Sequence, residues 1–254
     1  MEQLIIILEA QLLEENHMKR VAKIIISALL LFTILFPSLV GAKEEVNEEI
    51  MYRILLDRYN IGEQKKGEQI RIDDPYAFHG GDLKGLRTKL GVIQSLGYTA
   101  VSLSPIMKNK EDGYHGYWVE DFFEIDEQFG SIEELHKLTE AAKKRDIKVV
   151  LELPINYVSK THPFVNDEEK ANWFKAVDIS PEDASYWLDD VVALNQENPE
   201  VQEYLLTVID YWMDEADIAG FNFHSVDQMS SQFLTKVIDH IKEKDESFYL
   251  FGTI

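Results

Sequence analysis

The chain has 254 residues, of which 46 are acidic and 25 are lysine or arginine, giving a formal net charge of −21 at pH 7. This acidic balance makes nucleic acid and anionic membrane surfaces poor partners. The chain contains no cysteine, which excludes disulfides, thiolate metal sites and lipid-modified cysteines, so a metal could bind only through oxygen or imidazole. A content of 45% hydrophobic residues is enough for one folded unit with a sizeable core.

Residues 18–42 (MKRVAKIIISALLLFTILFPSLVGA) have the pattern of a secretory signal peptide, because basic residues precede an apolar run that ends in small residues. Cleavage after Ala42 predicts a secreted or otherwise extracytoplasmic protein. If the segment is not cleaved, residues 21–40 are long enough to serve as a membrane tether, which takes about 20 apolar residues. The charged region of a signal peptide normally begins near the initiator, so residues 1–17 are interpreted as a misassigned start before Met18.

From residue 50 onward, short apolar runs alternate with segments whose apolar residues recur at helical spacing. One helix is predicted to begin after Ser131, with Glu134 three residues further on, in the capping-box pattern. Such alternation predicts an α/β fold with parallel strands joined by right-handed crossovers. The predicted strands are residues 51–56, 99–103, 148–155, 220–224 and 248–252, and the predicted helices are residues 83–96, 132–144, 201–216 and 231–244.

Several stretches occur in the order and spacing of one known family. They are residues 80–106 (GGDLKGLRTKLGVIQSLGYTAVSLSPI), 114–135, 148–164, 193–212 and 220–226. Together they closely resemble the alpha-amylase family, glycoside hydrolase family 13. The stretch LNQENPEV and a short insert over residues 157–198 resemble the neopullulanase and maltogenic-amylase side of that family.

The resemblance implies a (β/α)8 barrel, of which residues 43–254 would be the N-terminal part with about the first five strands. Three further units are needed for closure, so either the sheet stays open or residues are missing. The outer strands, residues 51–56 and 248–252, would then be unprotected edges, which predicts self-association through strand pairing.

Retaining hydrolysis in this family needs two carboxyl groups about 5 to 5.5 Å apart, one as nucleophile and one as general acid. The resemblance assigns the nucleophile position to His224 and the position of its partner arginine to Asn222. The general-acid position falls on Thr253, whose hydroxyl is far too weak an acid for the role. In the third strand, the family's acid and histidine positions are occupied by Glu152 and Tyr157. No catalytic position that this chain reaches is therefore intact.

Two nearby acids do not restore the chemistry. Asp227 lies three residues beyond His224 on the following loop, so we expect its carboxylate to miss the nucleophile position. Glu152 and His224 lie on neighbouring strands and are interpreted as a hydrogen-bonded pair that fills the top of the barrel, with a shared metal as the alternative.

Other residues of the resemblance bear on binding. Tyr117 matches the tyrosine that stacks under a sugar in this family, and His115 and Trp118 lie beside it, so an alpha-glucan or maltooligosaccharide is the expected ligand. Packing of the barrel rim is the alternative role for these rings. Asn156 resembles either a calcium ligand or a loop anchor of the family. One oxygen donor does not make a calcium site, so no cofactor is expected beyond this calcium candidate.

The sequence thus predicts a member of the family that has lost hydrolysis. An active alpha-glucan hydrolase is the first alternative, because family membership alone would suggest it. A non-catalytic glucan-binding protein at the cell surface and a gene fragment without function are the others.

Overall fold

The computed structural model describes residue 23 and residues 49–63, 70–176 and 186–254, which contain ten strands, four α-helices and five short 3-10 helices. The compact unit comprises Glu49–Ile254. In chain order the strands and α-helices are β1 (Met51–Ile54), α1 (Leu83–Ser95), β2 (Ala100–Leu103), β3 (Met107–Asn109), β4 (Val119–Ile125), α2 (Ile132–Lys143), β5 (Lys148–Leu153), β6 (Tyr157–Ser159), β7 (Phe174–Lys175), β8 (Val191–Leu194), α3 (Pro199–Glu215), β9 (Gly220–Phe223), α4 (Ser231–Lys244) and β10 (Tyr249–Gly252).

The central sheet has five strands in the spatial order β1-β2-β5-β9-β10, and every neighbouring pair is parallel. An α-helix lies between each consecutive pair of these strands in the chain. This confirms the predicted α/β fold, an incomplete (β/α)8 barrel of five strands. The first predicted strand is shorter than expected, since the chain turns into a 3-10 helix at Leu56–Arg58.

The helices begin where short polar side chains can accept hydrogen bonds from free backbone N–H groups. Ser131 accepts from the N–H of Glu134 at the start of α2, which confirms the predicted cap. Asp82 caps α1 through the N–H of Gly85, and Asn198 caps α3, which has proline at its first position.

The two faces of the sheet differ in chemistry because successive side chains of a strand point to opposite faces. One face is apolar and packs into the main core with the helices, through residues such as Leu103, Leu151 and Phe221. The opposite, inward face carries Arg53 in register with Ser102, and Glu152 in register with Asn222. Polar side chains are thus collected on the concave side.

Two smaller sheets cover the ends of these strands. β3 and β4 form an antiparallel hairpin after β2. Within residues 157–198, β6, β8 and β7 form a three-stranded antiparallel sheet, so the segment that breaks the strand-helix alternation has structure of its own.

The outer strands β1 and β10 pair on one side only among the described residues, but their starting ends are linked across the concave side. The carboxylate of Glu49 accepts hydrogen bonds from the hydroxyls of Thr99 (2.6 Å) and Tyr249 (3.2 Å) and forms an ion pair with Lys148. The Lys148 ammonium also lies 4.9 Å from the centre of the Tyr249 ring. Self-association through these edges stays a prediction.

Replacing Glu49 with alanine should lower the free energy of unfolding of the full chain by about 1 to 3 kcal/mol, because Lys148 and two hydroxyls lose a shared partner. Urea denaturation measures the change. The control is Glu140→Ala, which removes an exposed helical ion pair with Lys144 and should change stability by no more than about 0.5 kcal/mol. Equal losses in both variants would contradict a linking role for Glu49.

Candidate active site

The carboxyl ends of parallel strands meet at one edge of the sheet, where enzymes with this architecture place their chemistry. Here that edge brings together Arg53 from β1, Glu152 from β5 and His224, the first residue after β9. Tyr117 joins them from the turn between β3 and β4. The sequence predicted three of these four residues; Arg53 was missed.

Glu152 is the centre of the cluster, and none of its side chain is accessible to solvent. One carboxylate oxygen, Oε2, accepts a hydrogen bond from the Arg53 guanidinium at 2.9 Å. The other, Oε1, accepts from the Tyr117 hydroxyl at 2.6 Å and lies 3.2 Å from Nδ1 of His224. Burial alone would raise the pKa of Glu152, but hydrogen bonding from His224 and Tyr117 and the charge of Arg53 lower it below its ordinary value. Glu152 is therefore held as a carboxylate.

Arg53 supplies the positive charge that Asn222 cannot. Asn222 pairs in register with Glu152 on the neighbouring strand and is 2% exposed. Its side-chain oxygen has no hydrogen-bond partner among the described residues. The Arg53 side chain, in contrast, reaches across β2 to Glu152 and remains 53% exposed. A signal for Arg53 was present in the sequence, since it is the one charged residue in the apolar run MYRILL.

Other aromatic rings pack against the ring of Tyr117. The ring of His224 lies 4.5 Å from that of Tyr117 between centroids, and the ring of His115 lies 5.5 Å away and nearly parallel. Trp118 packs edge-on against His115 at 4.5 Å. Burial raises the pKa of Tyr117 far above its ordinary value, so its hydroxyl stays protonated and donates to Glu152. The rings that the sequence singled out are thus together, with Tyr117 tied into the Glu152 cluster.

Thr253, Tyr157 and Asp227 are each engaged with groups outside the Glu152 cluster. The Thr253 hydroxyl donates to the carbonyl of Phe223 at 3.4 Å. Tyr157 is buried and packs with Trp118, Val191 and Ala193 in a small cluster of its own. Asp227 accepts from the side chain of Gln228 in the 3-10 helix Val226–Gln228.

Asn156 anchors the loop that carries His224. Its amide nitrogen donates to the carbonyls of His224 and Ser225 at 2.9 and 2.8 Å, which supports the left-handed backbone of Ser225 at φ 50°. Its side-chain oxygen accepts from Gln196 at 2.7 Å. Within the described ranges, no group of three or more histidines and acids is arranged to hold a metal. The anchoring role of Asn156 is therefore supported by contacts, and calcium binding stays a prediction.

Comparison with known proteins agrees with this architecture. Residues 53–189 match the sequence profile of the family described as "Alpha amylase, catalytic domain". A cyclomaltodextrinase from a Bacillus species is 30% identical over 230 residues, which cover 82% of this chain and 41% of the relative. The intracellular maltogenic amylase of Bacillus subtilis strain 168 is 27% identical, with 84% and 39% covered. Among solved structures, an Anoxybacillus alpha-amylase superimposes with a TM-score of 0.75 at 36% identity, over 81% of this chain and 47% of that one.

The chain therefore belongs to the alpha-amylase family, glycoside hydrolase family 13. Relatives named cyclomaltodextrinase and maltogenic amylase place it on the neopullulanase-like side. The chain spans about two fifths of the length of these relatives.

The same relatives correct one expectation from the sequence. Residues 18–42, on which the predicted secretion or membrane tether depends, lie outside the described residues. No helix in the described ranges is long and apolar enough to cross a bilayer. Relatives from Bacillus subtilis are named as intracellular enzymes, so the predicted extracytoplasmic location is wrong. A basic and apolar N-terminal pattern was insufficient to assign the compartment.

Replacing Arg53 with methionine should lower the free energy of unfolding at pH 7 by about 2 kcal/mol, because it leaves a buried carboxylate without its cation. Arg53→Lys keeps a positive charge and should cost less. Urea denaturation of both variants at pH 7 and pH 4 measures these losses of unfolding free energy. The gap in unfolding free energy between Arg53→Met and Arg53→Lys should be smaller at pH 4, because Glu152 then becomes protonated in the methionine variant. If the gap between the two variants is the same at pH 7 and pH 4, the contribution of Arg53 to stability is not its charge.

Two buried histidines should make stability depend on pH. Burial lowers the pKa of both His115 and His162 to about 4, and Nδ1 of each accepts a backbone N–H. An unfolded histidine binds its proton near pH 6.5, so between about pH 6.5 and 4 the unfolded chain holds more protons and stability falls as the pH falls. Each histidine should contribute about 1.4 kcal/mol per pH unit in this window.

Replacing His162 with asparagine keeps a neutral acceptor and should remove one histidine's share of this slope. Thermal and urea unfolding at pH 7, 6 and 5 measures the slope, and an unchanged slope in the asparagine variant would contradict the assignment.

Proposed function

We propose that this member of the alpha-amylase family binds alpha-glucans or maltooligosaccharides without hydrolysing them. The observation that carries the proposal is the state of Glu152. Both oxygens of this buried carboxylate are occupied, by Arg53 on one side and by Tyr117 and His224 on the other. This carboxylate has no solvent-accessible oxygen to offer a sugar, and because its pKa is lowered it carries no proton to donate to a leaving group.

The groups around Glu152 support the same conclusion. Retaining hydrolysis needs a second carboxyl group about 5 to 5.5 Å from the first. The positions that would provide the pair hold His224 and Thr253, and the Thr253 hydroxyl bonds to a backbone carbonyl. The carboxylate of Asp227 accepts a hydrogen bond from Gln228. Burial and the negative charge of Asp227 together raise the pKa of Tyr157 to about 12, so the charge of Asp227 lies near Tyr157.

Glucan contact is proposed at the aromatic rim formed by His115, Tyr117 and Trp118, in which the partly exposed ring of Tyr117 meets the sugar and the buried rings of His115 and Trp118 support it. The rings pack against one another, so Tyr117 needs little rearrangement on binding. Relatives of this chain include enzymes named for cyclomaltodextrin and for maltogenic action, and an alpha-amylase from Geobacillus thermoleovorans was solved in complex with acarbose. These names support an alpha-glucan as the ligand.

Hydrolysis of alpha-glucans is the second candidate function, because relatives over 82 to 84% of this chain carry enzyme names. It requires a nucleophile and an acid among residues other than those at positions 224 and 253. The assay below decides between the two.

The purified full chain should release no reducing sugar from starch, pullulan or cyclodextrin above a blank, because loss of both catalytic groups removes several orders of magnitude in rate. The control is Glu152→Gln, which removes the carboxylate of the cluster. Activity that comes from a contaminating enzyme would be the same in the wild-type and Glu152→Gln preparations. A turnover number near 1 s⁻¹, ordinary for enzymes, that is lost in Glu152→Gln would establish hydrolysis and sink the proposal.

A further inference from the structure

A cavity separate from the Glu152 cluster lies between the turn after β3, the end of β4 and residues 70–80. It has a volume of about 550 Å³, within the range of about 300 to 1,000 Å³ that is usual for small-molecule sites. Neither the residues of the Glu152 cluster nor the rings of the aromatic rim line it. Any ligand of this cavity would therefore be bound by groups that the proposed function does not use.

The walls of the cavity carry five acidic and three basic side chains, a net charge of −2. Each basic group is already paired with an acid at 3.2 Å or less, in the pairs Arg71 with Asp112, Lys108 with Glu124 and Lys110 with Asp190. Glu111 and Glu127 also line the cavity, and no ion pair joins either of them to a basic group among the described residues. The uncompensated charge of the cavity is thus negative.

A buried hydrogen-bond acceptor at the same cavity is unsatisfied. Asn109 lines the cavity and is 7% exposed, and its side-chain oxygen has no partner among the described residues. Its amide nitrogen donates to the carbonyl of Met107 at 2.5 Å, so the oxygen is turned the other way, beside Gly113 at the end of the turn that lines the cavity. A buried acceptor without a donor is destabilising, so a donor that reaches it from the cavity would be bound favourably.

The wall that carries Asn109 is fixed before any ligand binds. The carboxylate of Asp126 accepts hydrogen bonds from the backbone N–H groups of Asn109 and Gln128, both at 2.9 Å. This carboxylate therefore holds the end of β3 against the turn that follows β4. Acceptors that are already in place lose less conformational entropy on binding.

We propose that this cavity binds a small aliphatic diamine in its doubly charged form. Its basic groups are committed to acids while acceptors remain, so the matching ligand is positively charged and donates hydrogen bonds. Two ammonium groups balance the net charge of −2, and Ile70, Phe78 and Ile125 offer apolar surface to the methylene groups between them.

The size and the donor set favour an organic cation over a metal ion. A volume of about 550 Å³ is far larger than one bare ion needs. In the part of the chain that the structure describes, no group of three or more acids and histidines is arranged to hold a metal. The inference goes beyond glucan binding and does not depend on it.

The test is titration of the full chain with putrescine (1,4-diaminobutane) by calorimetry at low ionic strength, where charges are weakly screened. Glu127→Gln removes one charge from the cavity and should raise the Kd about tenfold, which corresponds to about 1.4 kcal/mol. The matched control is Glu243→Gln, which removes an acid that is likewise exposed but does not line the cavity, and it should leave the Kd unchanged. Circular dichroism checks that each variant keeps the wild-type fold.

Butylamine and calcium are titrated in parallel to identify the class of ligand. Butylamine has one ammonium group and should bind wild type at least about tenfold more weakly than putrescine, because one charge of the cavity then stays unbalanced. Tighter binding of putrescine with a tenfold loss in Glu127→Gln alone supports the site.

Three results would overturn the diamine site. The first is the absence of saturable putrescine binding up to tens of millimolar. The second is an equal loss in Glu127→Gln and Glu243→Gln, which would mean that the chain's net charge of −21 attracts any cation without a specific site. The third is calcium binding that is weakened by Glu127→Gln while putrescine does not bind, which would identify a metal site. None of these results bears on glucan binding.

Discussion

A carboxylate that is withdrawn completely from water must be paired, because an isolated buried charge is too costly for a folded domain. Glu152 meets this condition through Arg53, Tyr117 and His224, which come from the first sheet strand, from the hairpin turn and from the end of the fourth sheet strand. Arg53 and Tyr117 lie 99 and 35 residues from Glu152 in the chain. Strand order, hairpin position and loop geometry must therefore all be correct for this one group to be accommodated.

The loop after β9, which carries His224, is also fixed by hydrogen bonds between residues that are distant in the chain. Asn156 binds the carbonyls of His224 and Ser225, and Gln196 binds the side-chain oxygen of Asn156. Gln196 lies two residues after β8, the last strand of the small antiparallel sheet. The inserted segment thus contributes to the position of the imidazole beside Glu152, although it supplies no group to the carboxylate itself.

Fold and chemistry are separable in this molecule. The residues that bury the sheet against the helices, such as Leu103, Leu151 and Phe221, lie on its outer face, whereas Glu152, His224 and Thr253 lie on its inner face or at its carboxyl edge. Substitutions at that edge leave the main core untouched, so the alpha-amylase architecture does not depend on which residues occupy it.

By itself the sequence determined the α/β fold, the five sheet strands, the cap at Ser131 and the family, because these depend on local periodicity, capping chemistry and the order of motifs along the chain. The sequence also placed Glu152 beside His224, because the two residues lie at the carboxyl ends of strands predicted to be neighbours. Tertiary structure alone decided that Arg53 is the cation of the cluster. That pairing depends on strand register and on reach across β2, and no pattern within a short stretch of sequence encodes either one.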